Sequence, residues 1–186
     1  MWSLVFYFLY LIRTLIDKIL NLVLEWYWGE KKTCPPLKKD FFITKSAIEI
    51  AELIKQQDIS VYQVVNAYIN RIIETNPILN AVLDGPFIEA LDEAQAIDER
   101  ISKGLISEEE FTQKPFLGVP FTTKDSTAVS GKLHTLGIAA RRNYRAKEDA
   151  ECVRLMKEAG AIIIATSSIP EINRWLKNIL HVEQKR

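Results

Sequence analysis

Five apolar residues and a threonine in unbroken succession, Ala161-Ile162-Ile163-Ile164-Ala165-Thr166, restrict this chain more than any other stretch. A strand with one wet face alternates apolar and polar side chains; a run without polar alternates needs cover on both faces. Gly160, a suitable residue for closing a helix, stands just before it. Further upstream, Glu148-Asp149 places negative charge at the start of a segment through Glu158, where a helix macrodipole favours it. Helix, glycine and doubly covered strand in that order are the rhythm of a layered α/β sheet. The chain is therefore expected to be α/β.

The rest of the chain supplies the covering layers. Ser46 with Glu49, and Ser60 with Gln63, each form the pair that opens a helix with a capping box. Ile48, Ala51, Leu53 and Ile54 give the first helix its apolar side; Val61, Val64, Val65, Tyr68 and Ile72 give the second a cleaner one, which Pro77 is expected to end. Leu79 to Leu83 reads as a short strand. Phe87 to Ser102 reads as a charged helix turning Ala90, Leu91, Ala94, Ile97 and Ile101 inward, with Gly104 terminating it. Glu108-Glu109-Glu110 reads as a solvated loop or helix start, because adjacent carboxylates on a loop lack the convergence a metal requires.

With 186 residues there is room for one domain and an appendage. Lysine plus arginine equals aspartate plus glutamate at 24 each, so charge makes no case for nucleic acid as a partner. Cys34 and Cys152 are far apart and lack partners at metal-ligand spacing, which argues for neither a disulfide framework nor a zinc site. His134 and His181 read as ordinary loop or surface residues, and the Arg141-Arg142-Asn143-Tyr144-Arg145 cluster as solvated. No cofactor and no metal are expected.

The appendage is N-terminal. Trp2 to Ile12 carries no charge, Leu15 to Leu24 continues apolar with interruptions, and Trp26-Tyr27-Trp28 closes the segment. Arg13, Asp17, Asn21 and Glu25 recur every four residues and draw a polar stripe along the helix. About 26 residues at ~1.5 Å each would reach across a bilayer core, yet charges inside it are costly. Residues 2–28 are therefore expected to meet a lipid bilayer, either as a single span pairing Arg13 with Asp17 or as a monotopic interfacial anchor; a soluble amphipathic helix is the third reading. Lys31, Lys32, Lys38 and Lys39 follow and no basic residue precedes, so a span would put the C-terminal domain in the cytosol. The expected organisation is an anchor helix over 1–28, a linker over 29–45 broken by Pro35-Pro36, and a domain over 46–186.

Chemistry gathers at Phe116 to Ser126. Leu117, Val119 and Phe121 alternate with Gly118, Pro120 and Thr122, so a strand over 117–123 would turn its apolar side chains to one face and leave the other almost bare. Lys124 falls on the bare face, where desolvation would favour the neutral amine. Only that form accepts a proton, as a base beside a serine nucleophile must.

The blocks Gly118 to Ser126, Val129-Ser130-Gly131, Thr135-Leu136-Gly137, Ala146 to Ala150 and Leu155 to Ile162 together resemble the amidase signature family, nearest to its membrane-anchored, fatty-acid amide hydrolase 2-like branch. The resemblance runs from about Ser46 to Trp175; Leu176 to Arg186 looks helical and falls outside it. It implies the N-terminal part of a layered α/β/α sheet domain. It also implies hydrolysis of amide or ester bonds in fatty-acid amides or other lipid-like substrates by a Ser-cis-Ser-Lys triad, whose lysine drives a proton relay through a bridging serine to the nucleophile. Lys124 matches that lysine. Both serines lie further along in the family, in a glycine- and serine-rich run that also forms the oxyanion hole, and the seven glycines here include no adjacent pair. Ser167-Ser168 reads as structural. The 186-residue chain is accordingly expected to be inactive by itself. The alternatives are a membrane-tethered, non-enzymatic interaction module, with exposed edges that favour self-association into a homo-oligomer, and a truncated isoform or gene-model fragment.

Overall fold

The computed structural model describes residues 2–29, 33–36 and 42–174. Parts of the expected linker, the expected helix beyond Leu176 and His181 lie outside the described residues. The chain divides into two compact units, Met1–Cys34 and Pro35–Arg186.

The first unit is helix α1 (Trp2–Trp28). The expected pair forms, with Arg13 Nε 3.8 Å from Asp17 Oδ2, and the Thr14 hydroxyl donates to the Tyr10 carbonyl at 2.9 Å. The expected single span is not supported. Among the described residues no helix is long and apolar enough to cross a membrane. The reason is in the chain: every stretch of 18 residues within α1 contains Arg13, Asp17 and Lys18, and the four-residue stripe read from the sequence left out Lys18.

In the second unit, α2 (Ala47–Lys55) and α3 (Val61–Leu79) both open with the expected capping boxes. At the first, the Ser46 hydroxyl accepts from the Glu49 N–H while the Glu49 carboxylate accepts from the Ser46 N–H at 2.9 Å. The Ser46 N–H, then the Lys45 ammonium, then the Ser46 hydroxyl hold the Glu49 carboxyl down to about 2. A depressed carboxyl contributes stability above its unfolded value and loses it as pH falls through the folded one. The Glu49 contribution is thus expected to be complete above 4.5 and lost as pH drops through about 2. An NMR titration of the Ser46 amide checks this: an inflection near 4.5 would mean that the box is open in solution.

Pro77 does not end α3. The helix runs two residues further and closes on Asn80 in the left-handed region, φ 52°. A proline in the last turn forfeits one backbone bond, and the remaining turns hold. Strand β1 (Val82–Asp84) consequently begins later than expected. Helix α4 (Glu89–Ser102) and α5 (Glu108–Gln113) follow, with Ser107 capping α5 so that the three glutamates occupy its first turn. Strand β2 (Pro120–Lys124), α6 (Glu151–Glu158) and β3 (Ile162–Ser167) complete the order. Helix α6 begins later than the charge pattern predicts, which frees Asp149 for the loop described below.

Strand β3 is the centre of the sheet, whose order is β1-β3-β2, antiparallel to β1 and parallel to β2. It is buried from Ile162 through Thr166, as its unbroken apolar run requires. Ile162 and Ile164 join the core built by α2, α3 and α4, with Ile50, Val65 and Ala94 among its members, while Ile163 packs with Phe87, Val129 and Val153 of α6. The two faces are covered by different helices, giving the expected layers.

The alternation predicted for 117–123 is corrected. Leu117 and Val119 are buried in the first cluster, but Phe121 packs against the second. Residues before Pro120 form a turn, with Leu117 N–H donating to Lys114 O and Val119 N–H to Phe116 O, and the ladder register shifts between Phe121 and Thr122. Gly118 permits this turn: its φ is +78°, and a Cβ there would lie 2.6 Å from Val61 Cγ2. Val61 is fully buried, so Gly118→Ala is expected to destabilise the fold by about 2–4 kcal/mol from backbone strain plus overpacking. Urea unfolding measures it; a loss below about 1 kcal/mol would show that Val61 yields easily.

Candidate active site

The parallel strands β2 and β3 end side by side, with Lys124 in register with Ser167. Carboxyl ends of parallel strands are where α/β sheets place ligands, because the loops leaving them diverge. Lys124 is exposed, and its ammonium meets no partner among the described residues. The desolvation expected from a bare strand face is therefore not provided by the described residues: β2 lies at the edge of the described sheet, and nothing among those residues covers its last side chain. Ser167 donates its hydroxyl to the Thr123 carbonyl at 3.3 Å, and the Ser168 N–H donates to the Ala81 carbonyl at 2.8 Å. These are bonds that fasten the strand end.

The residue after Lys124 is held on every side. Asp125 is completely buried. Its N–H donates to Ser167 O at 2.9 Å, which ties β2 to β3. One carboxylate oxygen accepts from the Thr135 N–H at 2.7 Å; the other accepts from the Thr135 hydroxyl and from the Gly137 N–H at 3.1 Å. A buried carboxylate is tolerated only when its oxygens are met in this way. Gly137 has φ +71°, and a Cβ on it would sit 2.9 Å from the Glu171 backbone. The loop thus presses on the chain leaving β3, where the Ile172 N–H also donates to Leu136 O at 2.9 Å.

Two further carboxylates hold the same loop. The Leu133 N–H donates to Asp84 at 2.8 Å and the Ser130 N–H to Asp149 at 2.7 Å. Burial is the largest single influence on Asp149 and raises its pKa, yet the Lys157 ammonium at 2.7 Å and the Ser130 N–H together bring the carboxyl below its ordinary value. Residues 126–137 are in effect sewn to the chain at three carboxylates, and Lys124 stands at the start of that seam.

Sequence reasoning singled out Lys124 and missed its support. The Thr135-Leu136-Gly137 block carried the resemblance, but nothing in its spacing said that Thr135 and Gly137 face Asp125. A signal existed in the residue types: an aspartate directly after a strand, and a threonine with a glycine two residues on, suit a buried carboxylate and its donors. The arginine cluster is largely solvated, as expected, with Arg142, Asn143, Tyr144 and Arg145 exposed, but two of its arginines also make contacts. The Arg141 guanidinium stacks 4.2 Å from the Tyr144 ring and donates to the His134 carbonyl, and Arg145 donates to Gly131 O and faces Asp84. Those arginines are structural members of the loop.

A cavity of about 460 Å³ lies between α2 and the segment from α5 to Leu117, floored by Ala51, Phe111 and Phe116. Lys124 does not line it. Among the described residues no group of three or more His, Cys, Asp or Glu side chains is placed to hold a metal.

Residues 63–177 match the amidase family. Fatty-acid amide hydrolase 2 of Homo sapiens is 36% identical over 148 residues, which cover 79% of this chain and 28% of that protein. Indoleacetamide hydrolase of Bradyrhizobium diazoefficiens is 36% identical over 129 residues, 69% of this chain and 23% of the relative. The chain thus spans less than a third of the length of these relatives. Among solved structures, a fatty acid amide hydrolase superposes with a TM-score of 0.63 at 19% identity, covering 72% of this chain and 23% of that one. The native peptide amidase of Stenotrophomonas maltophilia gives 0.61 at 22%, covering 70% and 26%. At these identities the structural likeness concerns the fold.

Proposed function

Because the chain belongs to the amidase family, we propose that it forms the lysine-bearing part of an amide hydrolase in which Lys124 is the base of a Ser-cis-Ser-Lys triad. The observation that carries this reading is Lys124 itself: an ammonium with no partner among the described residues, at the carboxyl end of a parallel strand pair, next to a buried and fully bonded aspartate. A base must be held in place and yet be free to exchange a proton. The backbone bonds of Asp125 supply the first requirement and the open side chain the second.

In this reading a serine-bearing segment reaches Lys124, covers it and removes it from water. The neutral amine then takes the proton of a bridging serine, which takes that of the nucleophile; the attacked carbonyl becomes an acyl-enzyme and the amine leaves with the returned proton. Fatty-acid amides are the proposed substrates, from the names of the relatives and from α1, which is proposed to hold the chain at a lipid surface.

The test is a chimera in which residues 46–174 replace the corresponding part of human fatty-acid amide hydrolase 2. Hydrolysis of a fatty-acid amide by a folded chimera supports the reading; a chimera with native-like circular dichroism and a single size that leaves the amide intact overturns it. The same outcome would favour a second reading, a tethered module that binds a partner or a further copy of itself. That reading is motivated by exposed apolar side chains on the second unit, among them Ile48, Ile73, Leu105 and Leu155.

A further inference from the structure

Helix α1 carries an arrangement that the four-residue stripe understated. At about 100° per residue, Arg13, Asp17, Asn21, Thr14, Glu25 and Lys18 fall in that angular order within an arc of roughly 140°. Tyr7 and Tyr10, from the uncharged half of the helix, fall on the same arc, so the wet side continues as phenol hydroxyls where the charges stop. Phe6 and Leu24 intrude at one margin, and Trp28, the last residue of the helix, falls near the middle. The remaining arc, roughly 220°, holds apolar and aromatic side chains alone. Large hydrophobics from Val5 to Tyr27 are between 38% and 85% exposed, so nothing among the described residues covers this face.

The width of that face selects its occupant. A second copy packed as a coiled coil would bury the narrow seam of positions recurring every three and four residues and leave most of the arc in water. A bilayer surface buries all of it and keeps the polar arc among headgroups. Tyr7 and Tyr10, on the polar arc, suit the interface, where amphipathic rings settle. A span would instead carry the balanced charges Arg13, Lys18, Asp17 and Glu25 through hydrocarbon.

We propose that α1 lies in the plane of one leaflet, its Arg13-to-Lys18 arc in the headgroups and the opposite face among the acyl chains. The inference rests on the lipid-surface reading above and adds the geometry: the anchor is monotopic and both its ends stay on one side. Because the polar arc is electrically balanced, attachment through α1 comes from apolar burial and is expected to persist in high salt.

The experiment uses the full chain carrying Cys34→Ser and Cys152→Ser, with one new cysteine at a time from Tyr10→Cys, Asn21→Cys, Ile12→Cys and Ile19→Cys. Each protein is bound to phosphatidylcholine vesicles and treated with a membrane-impermeant maleimide without detergent. Tyr10→Cys and Asn21→Cys are expected to label at least tenfold faster than Ile12→Cys and Ile19→Cys, with binding retained in high salt. Protection of Tyr10→Cys and Asn21→Cys together with the other two would mean a span and overturn the inference while sparing the lipid-surface reading. Equal labelling of all four with the protein left in the supernatant would overturn both, as would Ile19→Cys dimers that form instead of vesicle binding. None of these outcomes bears on Lys124, which the chimera tests separately.

Discussion

Replacing Asp125 by alanine is expected to destabilise the second unit by about 3–5 kcal/mol, the range in which removing one partner of a buried charged network falls. The carboxylate is fully buried and receives three donors, the Thr135 N–H, the Thr135 hydroxyl and the Gly137 N–H. Alanine leaves those donors facing a void, and each unmet buried group costs about 1–3 kcal/mol before any relaxation. Asp125→Asn should lose less, since its remaining oxygen still accepts from one donor while its amide opposes another. The loss spreads beyond the site, because the same loop presses Gly137 on Glu171 and receives the Ile172 N–H. Urea midpoints for the two variants measure it. A cost below 1 kcal/mol for Asp125→Ala would show that the loop holds without the carboxylate, and that Lys124 is not positioned through it.

The second large effect is expected on rate with little on stability. In the chimera, Lys124→Met should lower amide hydrolysis by a factor of about 10² to 10⁴, the usual contribution of a positioned general base, and more where the whole relay fails with it. Its thermal midpoint should stay within about a degree or two, since the side chain is exposed and removes no bond among the described residues. That split separates a catalytic lysine from a structural one. Another exposed lysine, Lys147, serves as the control, and its replacement by methionine should leave the rate unchanged. Equal rates for Lys124→Met and the parent chimera would remove Lys124 from the mechanism.

Both predictions concern adjacent residues of one strand end, and the two were unequally visible beforehand. Lys124 could be picked out because its residue type is rare in a catalytic role except in a recognisable run of motifs. Asp125 drew no reading of its own from the sequence; only a threonine ten positions on and a glycine twelve on, brought round by the fold, turn it into a buried acceptor. Contacts at that separation leave no periodicity in the chain.

Helix α1 shows the same limit from the other side. Its existence and its paired Arg13 and Asp17 were legible, because both follow from a local four-residue repeat. The full polar arc needed the rotation of every residue about the helix axis, including Tyr7, Tyr10 and Lys18, which do not share the repeat.

What the amino-acid sequence determined by itself is what short-range physics controls. The capping boxes at Ser46 and Ser60, the helices they open, and the doubly covered strand from Ile162 depend on neighbours within a few positions and on how much apolar surface must be hidden. Tertiary structure decided the rest. It turned Phe121 away from Leu117 and Val119 through a glycine turn, carried α3 past Pro77, and left Lys124 exposed while burying Asp125 against loop 133–137. Each of those outcomes balances a local preference against a contact made from a distance, and the balance is struck only when the layers close.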